Sequence, residues 1–234
     1  MAVQERDPNQ VVIERARDFW ERYNRILTIV AVVIIVGVGG WLGYNKFYKE
    51  PREKKATDAI FRAEENFRNA LISPTNQDSL LNLALNGATG APGFLKVIKD
   101  YSGTSAGNLA KYYAANCYVM LNDNAKALKY LKDYTTKSKI NQARAWKMLA
   151  DIYADQGNNK EALNYYKKAA NHFPENSEDA SEYLWMAAYF AEKVMNDKNQ
   201  AIELYKKLKD EYPATFRGRE ADKYLARLGV ITND

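Results

Sequence analysis

Between Arg25 and Lys46 the chain runs for twenty residues, ILTIVAVVIIVGVGGWLGYN, without one charge. A helix rises about 1.5 Å per residue, so this run is about 30 Å long, the thickness of a bilayer's hydrocarbon core. Trp20 and Tyr23 precede it, while Trp41 and Tyr44 close it, where amphipathic rings favour the two interfaces. A buried core helix would carry a polar edge or fewer apolar residues. The run therefore reads as a transmembrane helix in a lipid bilayer, with everything after it held on one side. It exceeds the ~7–15 apolar residues of a secretory leader, and the segment before it is long and contains acids, so an uncleaved anchor is expected.

The two flanks do not choose an orientation. Arg6, Arg15, Arg17, Arg22 and Arg25 stand before the span, and Lys46, Lys49, Arg52, Lys54 and Lys55 after it, five against five. Long domains cross largely regardless of charge, so a body outside the cytoplasm is permitted. The first flank starts as disordered chain. Asp7-Pro8 then suits a helix start, and Val12, Ala16, Phe19 and Tyr23 recur at helical spacing opposite charged residues. This helix either lies at the membrane surface or simply continues into the span. Within the span Gly39 and Gly43, with Gly37 and Gly40, form a small-residue face on which another helix could pack closely.

Beyond Pro51 the pattern is helical. Ala59, Ile60, Ala63, Phe67 and Leu71 form one stripe, Asp78 to Leu85 a short helix stopped at Asn86-Gly87, and Phe94, Leu95, Ile98 and Tyr101 another stripe. Residues 88–93 read as turns and Gly103 to Gly107 as a loop. From Asn108 the chain repeats. Trp146, Leu149, Ala150, Tyr153, Gly157, Ala162, Tyr166, Ala169 and Pro174 hold the places that define a 34-residue tetratricopeptide repeat. Small residues at Ala150 and Ala162 let two helices cross closely, and large ones fill the gaps beside them. Tyr118 and Ala127 precede their counterparts Tyr153 and Ala162 by 35 residues, whereas Ala201, Tyr205 and Pro213 follow theirs by 39. The spacing of 39 predicts a longer first helix or a longer loop around Lys193 to Asn199. Phe216 to Leu228 is expected to be a last covering helix.

The expected fold is thus all-α: a flank over 1–25, a span over 26–45, a linker and degenerate hairpin over 46–107, and an α-solenoid of about three hairpins with a cap over 108–234. Chemistry is not expected. One cysteine, Cys117, forms no intrachain disulfide and does not directly follow the apolar run as a lipid-modified cysteine would; one histidine, His172, builds no zinc site. The glycines of NGATGAPG and SGTSAG do not cradle phosphate between strand and helix. The net charge of +5 is diffuse, with no basic run interleaved with stacking aromatics, so nucleic acid is not an expected partner. No metal, cofactor or catalytic residue is expected.

What remains is recognition. Positions 2, 5, 9 and 12 of each first helix line the groove of such repeats, which here selects Leu109, Tyr112, Asn116 and Val119; Arg144, Lys147, Asp151 and Ala154; Tyr183, Met186, Phe190 and Lys193. Tyr112 stands where a carboxylate-clamping groove places lysine, so that clamp is not expected. Aromatic and methionine side chains suit an extended or helical peptide.

The organisation, with GTSAGNLAKYYAANCY, EALNYYKKAA and DEYPATFRGREADKYLARLG, resembles the YfgM-like ancillary subunits of the bacterial Sec translocon in their Bacteroidota-type form. The resemblance implies an inner-membrane protein with a cytoplasmic N-terminus and a periplasmic body. Its implied partners are the SecYEG channel, a membrane-anchored periplasmic chaperone or prolyl isomerase, and emerging secretory chains. Alternatives are a scaffold for division or outer-membrane assembly machinery and a cytoplasm-facing receptor.

Overall fold

The computed structural model describes residues 8–230, so the start of the flank, including Asp7, and the last four residues lie outside the described residues. The chain divides into two compact units, the first ending at Lys54 and the second starting at Lys55.

The first unit is dominated by helix α1, Pro8–Tyr44, 37 residues without interruption. No proline or glycine occurs from Asn9 to Val36, so flank and span share one ladder of backbone bonds. Thr28 folds its hydroxyl back onto the Asn24 carbonyl at 2.7 Å, and Arg17 meets Glu21 at 3.6 Å one turn on. Of the two expectations for the flank, continuation is the one observed. A stretch beginning at Arg17 is long and apolar enough to cross a membrane, and its most apolar window is wholly unburied within the protein.

The helix then loosens into one wide turn, Asn45–Lys49, where the Glu50 amide bonds to the Asn45 carbonyl five residues back. Pro51 explains it: its ring would collide with the carbonyl four residues earlier, and a wide turn moves that carbonyl aside. Helix α2, Glu50–Ile72, therefore begins one residue before the proline instead of after it.

In the second unit α2 buries Ala56, Ile60, Ala63, Phe67 and Ala70, one face at helical spacing. The Phe67 ring meets Phe94 at 6.5 Å and Tyr113 at 5.4 Å, edge-on in both cases. Phe94 is completely buried, worth about 2–3 kcal/mol by area removed from water. Helix α3, Gln77–Asn86, and helix α4, Phe94–Asp100, are joined through two short antiparallel strands, β1 (Gly87–Ala88) and β2 (Ala91–Pro92). The stretch expected to be only turns therefore holds a minimal hairpin.

Three helical hairpins follow: α5 (Ser105–Met120) with α6 (Asn124–Lys132), α7 (Lys139–Asp155) with α8 (Asn159–His172), and α9 (Ser177–Lys193) with α10 (Lys198–Glu211). Each reverses through a residue in the left-handed region, Asn122 (φ 58°), Gly157 (φ 71°) and Asn196 (φ 55°), followed at once by an Asp or Asn that caps the second helix. Asparagine is the side chain that best tolerates what glycine does freely.

Two expectations change here. Of the loop expected over Gly103 to Gly107 only Gly103 and Thr104 are non-helical, because the Thr104 hydroxyl caps α5 by accepting the Gly107 amide at 2.9 Å while donating to the Tyr101 carbonyl at 2.7 Å. Gly107 presses so close to the Tyr101 carbonyl that no side chain fits. The 39-residue spacing comes neither from a longer first helix, since α7 and α9 both have 17 residues, nor chiefly from the loop. Against the preceding 35, it combines second helices of 14 residues (α8 and α10) where α6 has nine, one extra residue in the turn before α10, and two fewer residues in the loop leading into α9. The closing helix is likewise broken at Glu220, into α11 (Phe216–Arg219) and α12 (Ala221–Arg227).

Candidate partner-binding surface

The first helix of each hairpin is placed by a hydroxyl or amide cap: Thr104 on α5, Ser138 on α7, Asn176 on α9. Buried alanines along α5, α7 and α9 allow close crossing and leave their larger residues to project. That placement sets the candidate residues in three layers.

On α5, Tyr112 is half-buried and tilts against Tyr134 at 5.4 Å, and Asn116 returns its amide to the Tyr112 carbonyl at 2.8 Å. On α7, Arg144 is exposed, whereas Lys147 pairs with Asp151 at 2.7 Å. On α9, Tyr183 and Phe190 are buried and Met186 is half-buried. The three layers converge at Tyr183. Burial and the Asp179 charge push its hydroxyl pKa up, Arg144 opposes this by charge and hydrogen bond, and Tyr112 lies within electrostatic reach. Residues from α5, α7 and α9 thus share one surface, rimmed by Arg144 and the Lys147–Asp151 pair.

Several residues that hold this surface lie outside the groove positions named from the sequence. Tyr166, on a second helix, donates its hydroxyl to Asp151 at 2.7 Å and packs on Phe190 with ring centres 5.6 Å apart. The Gln142 side chain, buried, accepts the Thr136 amide at 3.0 Å and locks the passage from α6 to α7. Arg217 grips Glu182 with two hydrogen bonds of 2.6 and 2.9 Å and lies flat over Trp185 at 3.5 Å. A signal for these was present: Glu182 and Arg217 are 35 residues apart, as are Glu192 and Arg227, so opposite charges at the repeat spacing mark contacts between successive layers.

The one cysteine and the one histidine are packing groups. Cys117 is buried, and burial pushes its thiol pKa up to about 12. His172 stands edge-on to Trp146, ring centres 4.5 Å apart. Among the described residues no three His, Cys, Asp or Glu side chains gather where they could hold a metal ion. In the first unit Gly39 and Gly43 face open space, with nothing inside 4 Å of where a side chain would begin.

Two family models match the chain. One, described as a tetratricopeptide repeat-like domain, covers residues 17–180, and a second, described as a tetratricopeptide repeat, covers residues 182–215. No curated protein matches it.

Proposed function

The chain belongs to the tetratricopeptide repeat-like domain family, and from that premise we propose that it is a membrane-anchored scaffold that holds a protein partner at the bilayer. Repeat domains of this kind mediate protein–protein interaction and are in general not enzymes. The observation that carries the reading is one chain joining an uncharged, wholly exposed helical stretch to a stack of hairpins whose first helices pool Tyr112, Arg144 and Tyr183. Lipid would cover the first, and a polypeptide segment suits the second.

The partner we propose is the Sec translocon. The span would dock beside SecYEG, and the body, periplasmic with the N-terminus cytoplasmic, would hold a membrane-anchored chaperone or prolyl isomerase near emerging secretory chains. Resemblance of sequence and organisation to the YfgM-like subunits supports this. Affinity purification of the tagged full chain from gently solubilised membranes is the test. Recovery of translocon subunits with a periplasmic folding factor, reduced by Arg144→Glu or by replacing residues 26–45 with an unrelated span, is expected; recovery of neither overturns the translocon proposal. A reporter fused after Asp234 that is active only in the cytoplasm overturns the orientation.

A further inference from the structure

Charge on the second unit is sorted by helix. α6 and α8 together carry six lysines, Lys126, Lys129, Lys132, Lys160, Lys167 and Lys168, against the single carboxylate Glu161, whereas α9 carries four carboxylates and one lysine. Four of those lysines are laid over tyrosine rings in a pattern that repeats from one hairpin to the next. Tyr118 stacks on Tyr130 at 5.8 Å, with Lys126 over the first ring and Lys129 over the second. Tyr153 stacks on Tyr165 at 5.5 Å, with Lys132 over the first and Lys168 over the second. Lys132 starts on α6 and hydrogen-bonds Tyr153 on α7, so it joins the two pairs into one strip. Asp123 neutralises Lys126 at 2.7 Å, and Glu161 lies within reach of Lys132; the other ammonium groups stand at a largely exposed surface.

We infer that this lysine–tyrosine strip is a lipid-facing surface that rests on the anionic headgroups of the bilayer holding the span. The inference rests on the membrane-anchored reading above. Ammonium groups held 4.7 to 5.9 Å from the centres of tyrosine rings pair a cation with an amphipathic ring, the two residue types that gather at a headgroup layer. Each lysine near an anionic leaflet adds attraction, and attachment to a span keeps the strip at high effective concentration beside that leaflet. Single-stranded nucleic acid is the other polyanion to weigh. Its binding relies on free ring faces for base stacking, and here each ring has one face taken by the partner tyrosine and a lysine over it.

The test uses the full chain reconstituted in phosphatidylcholine bilayers with and without phosphatidylglycerol. Asn164→Cys, on the exposed side of α8, carries a fluorescent donor, and the buried Cys117 thiol stays unlabelled. Energy transfer to headgroup acceptors is expected to be severalfold higher in the anionic bilayer. It should return to the phosphatidylcholine level in Lys129→Glu/Lys132→Glu/Lys168→Glu and at high salt, and stay high when the same three become arginine. Circular dichroism shows whether the glutamate variant keeps its helices, and the salt arm reads the same effect without any substitution. Equal transfer in both bilayers overturns the inference, as does binding of an RNA oligonucleotide through the same lysines without lipid-charge dependence. A chain that alkaline carbonate strips from the bilayer overturns the anchored reading itself, a result distinct from either.

Discussion

Tyr166 on α8 donates a 2.7 Å hydrogen bond to Asp151 on α7, whose other carboxylate oxygen holds Lys147 at the same distance. One carboxylate thereby ties a second helix to the candidate surface on the first. Tyr166 is buried, so Tyr166→Phe leaves Asp151 short of a donor without opening a cavity and should cost about 1–2 kcal/mol in urea denaturation. Burial and the Asp151 charge raise the Tyr166 pKa well above its ordinary 10.0. The unfolded chain then loses the proton first, so stability is intact below about pH 10 and falls as pH rises beyond it. Tyr166→Phe should flatten that alkaline decline, measured as Tm against pH.

Glu192 makes the opposite case at the acid end. Its side chain is only 7% exposed and sits among the Tyr205 hydroxyl, Lys193 and Arg227. Burial alone would raise its pKa, but hydrogen bonds from Arg227, Lys193 and Tyr205 outweigh that and hold it below the ordinary 4.5. A depressed folded pKa gives stability that is present above about pH 4.5 and is lost as pH falls through the folded value. Glu192→Gln is expected to cost about 1–3 kcal/mol at neutral pH, moderated by the exposure of Arg227, and to lose less on acidification than the parent. Paired denaturation curves at pH 7 and pH 3 check both parts.

Gly157 turns the second hairpin at φ 71°, where the neighbouring hairpins use Asn122 and Asn196. Gly157→Asn should therefore be nearly neutral, while Gly157→Val should cost about 1–2 kcal/mol, since a β-branched side chain strains in the left-handed region. Open space around that Gly157 position removes any packing contribution, so the difference in Tm between the two variants reads backbone strain directly.

The parts of this fold legible in the sequence are those set by local periodicity. The uncharged run, the apolar stripes and the spacing of Ala150, Tyr153, Ala162 and Tyr166 each follow from one helix meeting one partner. Less legible were features that depend on two things at once. The wide turn at Asn45–Lys49 needs both a continuous helix and Pro51. The length of α8 is hidden because a spacing of 39 does not say which element grew. The candidate surface divides likewise: the groove positions named Tyr112, Arg144 and Tyr183, but Tyr183 and Phe190 are mostly covered, and Tyr166 enters from a helix that positional rule ignores.

Two joints far apart in the chain turn out to be built alike. Tyr101, Thr104 and Gly107 precede and open α5, and Tyr212, Thr215 and Gly218 do the same for α11. In each the threonine donates to the tyrosine carbonyl, at 2.7 and 2.9 Å, and accepts the glycine amide, at 2.9 and 3.1 Å. In each a side chain on the glycine would run into that same carbonyl. Gly107→Ala and Gly218→Ala must therefore push the incoming helix away from the preceding turn, and each should cost about 1–3 kcal/mol. Their consequences should differ. Gly107 lies among buried residues of α5 between two packed helices, so its variant should lower the single global unfolding transition. Gly218 lies in the terminal cap beside Arg217, whose grip on Glu182 anchors that cap. Gly218→Ala should instead free the cap locally, seen as faster amide exchange over residues 216–228 with protection in α7 unchanged. Equal loss of protection in α7 would show that the cap and the central hairpin unfold as one.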